Sequence, residues 1–195
     1  MKLPTLLLSL AALPAFAATT VVDLTGLAPN QANLASTDTG QTFTTGSLGA
    51  DTLLSVVGLE GPQTGASSDQ ITVQVWTDGD NDHATWDPGT LLGTSTNSAT
   101  LALDTTSEFN FSGLTLADNT VYALVFLSDN ADGDDALRFG LVGGGNLYPQ
   151  GTLFSGGSAP FGDGFDASVA VTTVPEPAFG LIGGLGLLAL LRRRR

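Results

Sequence analysis

Two runs of alternating carboxylates are the residues best suited to chemistry in this chain. The first is Asp78-Gly79-Asp80-Asn81-Asp82-His83, with Asp87 shortly after it. Side chains at every second position can turn several oxygens toward one hard cation, and Ca²⁺ accepts six to eight of them. Asp78, Asp80 and Asp82 have that spacing, so calcium is a candidate ligand. The bidentate glutamate that closes an EF-hand loop is missing, because Gly89 stands at its place. The second run, Asp129-Asn130-Ala131-Asp132-Gly133-Asp134-Asp135, repeats the pattern at Asn130, Asp132 and Asp134. Two such loops would repel each other if they met without a cation between them. The competing reading is a pair of solvated loops between strands, where Asp, Asn and Gly are the expected residues. On that reading the fold requires no cofactor.

Trp76 and Trp86 are the only tryptophans. An exposed aromatic platform stacks on sugar rings, and Trp76 falls on the polar face of its strand. The alternative for both is a ring packed in or over a sheet. Enzymatic readings find little support. His83 is the single histidine, no G-x-S-x-G elbow occurs, and no phosphate-cradling G-x-x-x-x-G-K-[ST] is present. Glycoside hydrolysis needs two placed carboxylates, and composition cannot pick a pair beyond noting Glu60 and Glu108. Gly143-Gly144-Gly145 is a turn signal. Arg138 is expected to pair with a nearby aspartate. There are no cysteines, which removes thiol nucleophiles, cysteine metal sites and disulfides. The chain reads as a non-enzyme.

The elements that carry these residues are strands. Ile71, Val73 and Val75 alternate with Thr72, Gln74 and Trp76, the period-two pattern of a half-buried strand. Further strands are expected at 20–24, 41–45, 51–59, 91–95, 99–103, 108–111, 121–128, 136–142 and 167–173. Asp-Gly, Pro-Gly and Gly-Gly pairs punctuate them. No helix longer than two turns is expected in this region. The fold class is therefore all-β, a β-sandwich whose two sheets bury a shared core. A jelly-roll-like topology is preferred. An immunoglobulin-like arrangement is second, for want of cysteines and a clear tyrosine corner.

The two ends carry a different message. Lys2, the apolar run from Leu3 to Leu13 and Ala15-Phe16-Ala17 make a signal peptide over residues 1–17, with the mature start at Ala18. Residues 18–173 are the exported sandwich. Residues 174–195 form a tail: Pro175-Glu176-Pro177, an apolar run from Ala178 to Leu191, then Arg192, Arg193, Arg194 and Arg195. The run is 14 residues, about 21 Å as a helix, against about 30 Å of bilayer core. Arginines clustered after it stay cytoplasmic, so the sandwich faces outward. A short span weakened by Gly183, Gly184 and Gly186 suits transient membrane residence. The two prolines hold the motif extended and helix-free.

This tripartite ending resembles the PEP-CTERM sorting tail. The resemblance covers the last 22 or so residues. It implies an exosortase-type membrane enzyme as processing partner, in a Gram-negative-type bacterium that makes exopolysaccharide. A softer resemblance rests on 41–46 (QTFTTG), 86–93 (WDPGTLLG), 114–116 and 121–125. These segments are similar to the choice-of-anchor R domain, whose members are surface proteins with a β-rich body and interchangeable sorting tails. That implies location and architecture, and no activity.

Charge separates along the chain. Lys2 and the four terminal arginines leave Arg138 as the only base between residues 18 and 174, against 18 of the 19 acids, a net of −17. No basic patch exists to displace counterions from nucleic acid. Acidic polysaccharide and anionic lipid are repelled unless a divalent cation bridges them. The expected function is an exported surface or extracellular-matrix protein, structural or adhesive, in a biofilm matrix, touching the membrane only through its tail. The alternatives are a carbohydrate-binding module for exopolysaccharide and, after it, a polysaccharide hydrolase.

Overall fold

A computed structural model describes residues 18–27, 30–35, 39–48, 52–65, 68–130, 136–145, 147–156 and 164–175. The expected signal helix and transmembrane helix lie outside them. Among the described residues no helix is long and apolar enough to cross a membrane.

The chain is all-β, and its strands pair antiparallel throughout. Sheet I has the order β1 (Thr19–Asp23), β13 (Val169–Pro175), β4 (Thr52–Glu60) and β7 (Thr106–Asn110), with β8 (Thr115–Leu116) also paired to β4. Sheet II runs β11 (Leu153–Phe154), β3 (Thr39–Thr44), β9 (Val121–Ser128), β5 (Ile71–Asp78) and β6 (Pro88–Thr94). Sheet III is β12 (Phe165–Ala167), β10 (Ala136–Gly143) and β2 (Asn30–Ala35). All three contribute to one core. Leu54, Val57, Phe109 and Val171 come from sheet I, Phe43, Val73, Val75, Leu124 and Phe126 from sheet II, and Leu137 and Phe139 from sheet III. The arrangement is a β-sandwich.

Local chemistry explains the strands. β5 shows the expected alternation, with Ile71, Val73 and Val75 buried and Thr72, Gln74 and Trp76 partly exposed. β4 begins with Thr52 and Leu54 inward but continues with Val57 and Leu59 inward. A register shift opposite Thr172 and Thr173 absorbs the extra residue, as a β-bulge does. β9 is buried on both faces. Tyr122, Leu124 and Phe126 enter the main core, while Ala123 and Val125 enter a second, smaller cluster on the opposite face of sheet II.

The expectations for 20–24, 41–45, 51–59, 121–128 and 136–142 fall on β1, β3, β4, β9 and β10. The segment 99–103 is not a strand. Ala99 makes a single bridge to Ile71, Leu101 plugs the core, and Asp104 turns the chain at φ 49°. The short strands β2, β8, β11 and β12 have no counterpart in the sequence reading. Tyr122 also supplies a corner that the sequence did not reveal. Its hydroxyl accepts the Ala117 N–H at 2.8 Å, a backward bond of the tyrosine-corner kind.

Candidate functional site

The first acidic run is the start of a strap, residues 79–87, that leaves β5 and folds over the outer face of sheet II. Asp78 closes β5 and holds the middle and the end of the strap. Its Oδ2 accepts Asp82 N–H at 2.9 Å and its Oδ1 accepts Asp87 N–H at 3.1 Å. Gly79 N–H donates to Asp87 O at 2.7 Å across the same neck. A Cβ at Gly79 would lie 2.7 Å from the Asp87 carboxylate, which would have to swing aside to admit it. Inside the strap, Asp80 Oδ1 accepts Asp82 N–H and Asp82 Oδ1 accepts Ala84 N–H, each at 3.0 Å. Asn81, at φ 59°, turns its Oδ1 to Val121 N–H at 2.9 Å. Thr42 Oγ1 donates to His83 O at 2.8 Å.

These bonds give the carboxylates a task within the strap itself, beside the cation chemistry their spacing suggests. Burial raises the Asp78 pKa, and its hydrogen bond with Asp80 raises it further. That same bond lowers Asp80. Of the two, Asp78 is thus the carboxyl that takes up a proton more readily. Among the described residues no three His, Cys, Asp or Glu side chains form a metal-holding group.

The strap ends in Trp86, whose ring stacks on Phe154 with centroids 4.3 Å apart and planes 24° apart. With Ala123 and Val125 they make the second cluster, and Trp76 and Leu127 pack at its margin. Gly40, opposite both Val125 and Phe154, leaves room for the ring. A Cβ there would fall 2.7 Å from Phe154 Cζ. Trp86 is 7% exposed, so the expected sugar platform does not include it. An apolar sheet face needed a cover, and the indole supplies it. Its Nε1 is buried with no hydrogen-bond partner. Trp76 does lie on the outer face, half-buried, with Nε1 donating to Gln74 Oε1 at 3.0 Å.

Asp129 and Asn130, which open the second acidic run, follow β9 at the opposite end of sheet II. Ile71 pairs with Ser128 while Thr77 pairs with Tyr122, so the length of β5 separates Asp129 and Asn130 from the neck of the first run. Asp129 bonds across to Gln70, its Oδ1 accepting Gln70 N–H at 3.0 Å. Asn130, at φ 54°, donates its N–H to Ser128 Oγ at 2.9 Å. Ser128 in turn donates to the buried Asp69 at 2.5 Å. Asp132 and Asp134 lie outside the described residues, as do Glu176, Pro177 and Arg192 to Arg195. Pro175 is the last residue of β13.

Two buried polar centres escaped the sequence reading. Asp166, 2% exposed, accepts Leu147 and Tyr148 N–H on Oδ2, both at 3.1 Å, and Gln41 Nε2 on Oδ1 at 3.2 Å. Gln41 Oε1 then accepts Ala167 N–H at 2.9 Å. Burial raises the Asp166 pKa, partly opposed by these donors. Burial likewise raises Tyr148, whose hydroxyl bridges the Thr44 N–H and C=O at 3.1 Å each. The second centre is Glu60, whose Oε2 accepts Ser168 Oγ at 2.5 Å and Gly26 N–H at 2.9 Å. Both centres are hydrogen-bonded staples between elements.

No protein-family model and no curated protein matches the chain. A solved structure similar to it is a clostridial cysteine protease, Cwp84, after propeptide cleavage. The likeness has a TM-score of 0.51 at 10% identity and covers 74% of this chain. It covers 38% of that structure, so the chain spans well under half of its length. The two share a fold over that region.

Proposed function

We propose that this chain is an exported bacterial surface or extracellular-matrix protein, structural or adhesive, sorted through residues 174–195 and processed there by an exosortase-type enzyme. One observation carries the reading beyond sequence. β1 and β13 are neighbours in sheet I with Thr19 opposite Thr173, so the proposed signal and tail leave the body side by side. A body whose ends emerge together can fold while either end is held at a membrane. The polar centres of the body are structural staples, which favours a scaffold over an enzyme. We read the sandwich as jelly-roll-like, because β3 to β4 and β12 to β13 each pass from one sheet to another.

The test is intact mass and location of the mature protein in an exopolysaccharide-producing host, with wild type beside Glu176→Ala. A wild-type mass ending near Pro177 and an uncut variant support the reading. A full-length wild-type chain in the cytosol ends it.

A second reading, binding of exopolysaccharide, has Trp76 in its favour: a partly exposed indole on an outer sheet face, its N–H fixed by Gln74. Retention on polysaccharide columns that Trp76→Ala abolishes supports it. No retention of wild type excludes it.

A further inference from the structure

Gln74 and Trp76 are successive outward residues of β5, and both are partly exposed. The register fixes what stands beside them. Gln74 lies between Val125 of β9 and Thr94 of β6, and Trp76 lies between Ala123 of β9 and Leu91 of β6. None of these six side chains bears a charge. Residues 88–103, which supply β6 and the chain after it, contain no Asp, Glu, Lys or Arg. Asp78, two residues on from Trp76, is buried and turned to N–H groups of the strap. A body with 18 acids between residues 18 and 174 thus keeps this stretch of sheet face free of them.

The pair suits a ligand that offers both a flat apolar face and hydroxyl groups. Trp76 Nε1 donates to Gln74 Oε1 at 3.0 Å, which fixes the indole on the sheet and commits the amide oxygen. Gln74 Nε2 has no hydrogen-bond partner among the described residues, so its two N–H groups are left to donate. The C–H face of a sugar ring stacks on the indole, and a hydroxyl of that ring accepts from the amide. Charge narrows the class of sugar. A uronate would bring a carboxylate to a body of net −17, whose only base, Arg138, lies on β10 in sheet III. A cationic sugar would find no carboxylate among the residues beside Trp76 and Gln74.

We propose that this face binds an uncharged polysaccharide, with Trp76 as the stacking platform and Gln74 Nε2 as the donor that reads its hydroxyls. This rests on the second reading above and names its ligand class and its specificity-determining residue. The bond that fixes the indole also orients the amide, so platform and donor are presented to the ligand as one unit.

The experiment follows the full chain, held in detergent micelles, through native gels cast with an uncharged glucan, an uncharged mannan or a polyuronate. Wild type should be retarded by an uncharged polymer and not by the polyuronate, and Trp76→Ala should abolish the retardation. Gln74→Glu keeps an acceptor for the Trp76 N–H and removes the donor. Its association constant should fall about tenfold, the loss of one hydrogen bond, with an unfolding midpoint equal to that of wild type. Retardation by the polyuronate equal to that by the uncharged polymers overturns the ligand class while the second reading stands. Wild-type binding by Gln74→Glu overturns the donor. No retardation by any of the three ends the second reading and the proposal with it. A doubling of mass with concentration that Trp76→Ala reverses would then assign the face to a second copy of the chain.

Discussion

Trp86 rests on Phe154 at 4.3 Å between ring centroids, and through that contact a hydrophilic strap is fastened to an apolar sheet face. The neck at Asp78 fixes where the strap begins and ends. The stack fixes where its middle and end lie. Removing Trp86 should therefore cost more than its own buried area. Ala123 and Val125 would lose their cover, and the Asn81 and His83 bonds would lose the geometry that aligns them. We expect Trp86→Ala to destabilise the body by about 3 kcal/mol in urea unfolding, within the range for large aromatic deletions. Trp86→Phe should cost about half as much, because it keeps the stack and discards an indole N–H that has no partner. Equal losses for the two variants would mean the stack is not what holds the strap.

Ser168 stands where the chain passes from β12 in one sheet to β13 in another. Its hydroxyl meets Glu60 Oε2 at 2.5 Å, and Glu60 also holds Gly26 N–H in the turn after β1. Ser168→Ala would leave a buried carboxylate with one donor fewer. A loss of about 1–3 kcal/mol is expected, the cost of an unsatisfied buried group. Glu60→Ala should couple with it, so the double variant should fall short of the sum of the singles in a mutant cycle. Additive losses would deny the interaction.

How much of this was legible in the sequence depends on whether a signal is local. β5 and β9 were readable because alternation and continuous apolar character are written within eight residues each. β11 and β12 were not, since two or three residues carry no period, and they exist only because β3 and β10 offer edges to pair with. The spacing of the acidic run suggests cation chemistry, but spacing does not reveal that its carboxyl groups also accept backbone N–H groups of their own strap. For Trp86 the sequence leaves a sugar platform and a ring packed over a sheet both open, and what decides for packing is Phe154, far along the chain. Asp166 and Glu60 were invisible as a class. Their donors come from other elements, so no local pattern marks them.

Asp78 accepts the Asp82 and Asp87 N–H groups and Asp80 accepts the Asp82 N–H, so backbone donors serve these carboxyl groups without a cation. The body should then stand without calcium. A chelator at neutral pH is expected to leave the unfolding midpoint unchanged, and added calcium to raise it by less than about 1 °C, since ligand linkage vanishes when concentration stays below Kd. A chelator-induced fall of several degrees, lost again in Asp80→Asn, would instead assign calcium to the strap.

Acid should strengthen this protein over a range where many proteins weaken. Burial raises Asp166, and burial together with the Asp80 hydrogen bond raises Asp78. Both carboxyls thus bind a proton more readily in the folded chain than in the unfolded one, whose reference is 3.8. A group of this kind contributes stability on protonation. The contribution is complete below the unfolded value and is lost as pH rises through the folded one. Asp80, which is lowered, works in the opposite sense, but it is fully exposed and screened. Lowering pH also relieves the self-repulsion of a body carrying −17. The unfolding midpoint should therefore climb as pH falls from 7 toward the upper edge of the carboxylate range. Asp166→Asn separates the two causes, because it keeps an acceptor for Leu147 and Tyr148 while removing the titration. Its midpoint should climb with a shallower slope, the difference being the share of Asp166. Parallel slopes would assign the whole effect to net charge, and a wild-type midpoint that falls steadily from pH 7 would contradict the raised carboxyls altogether.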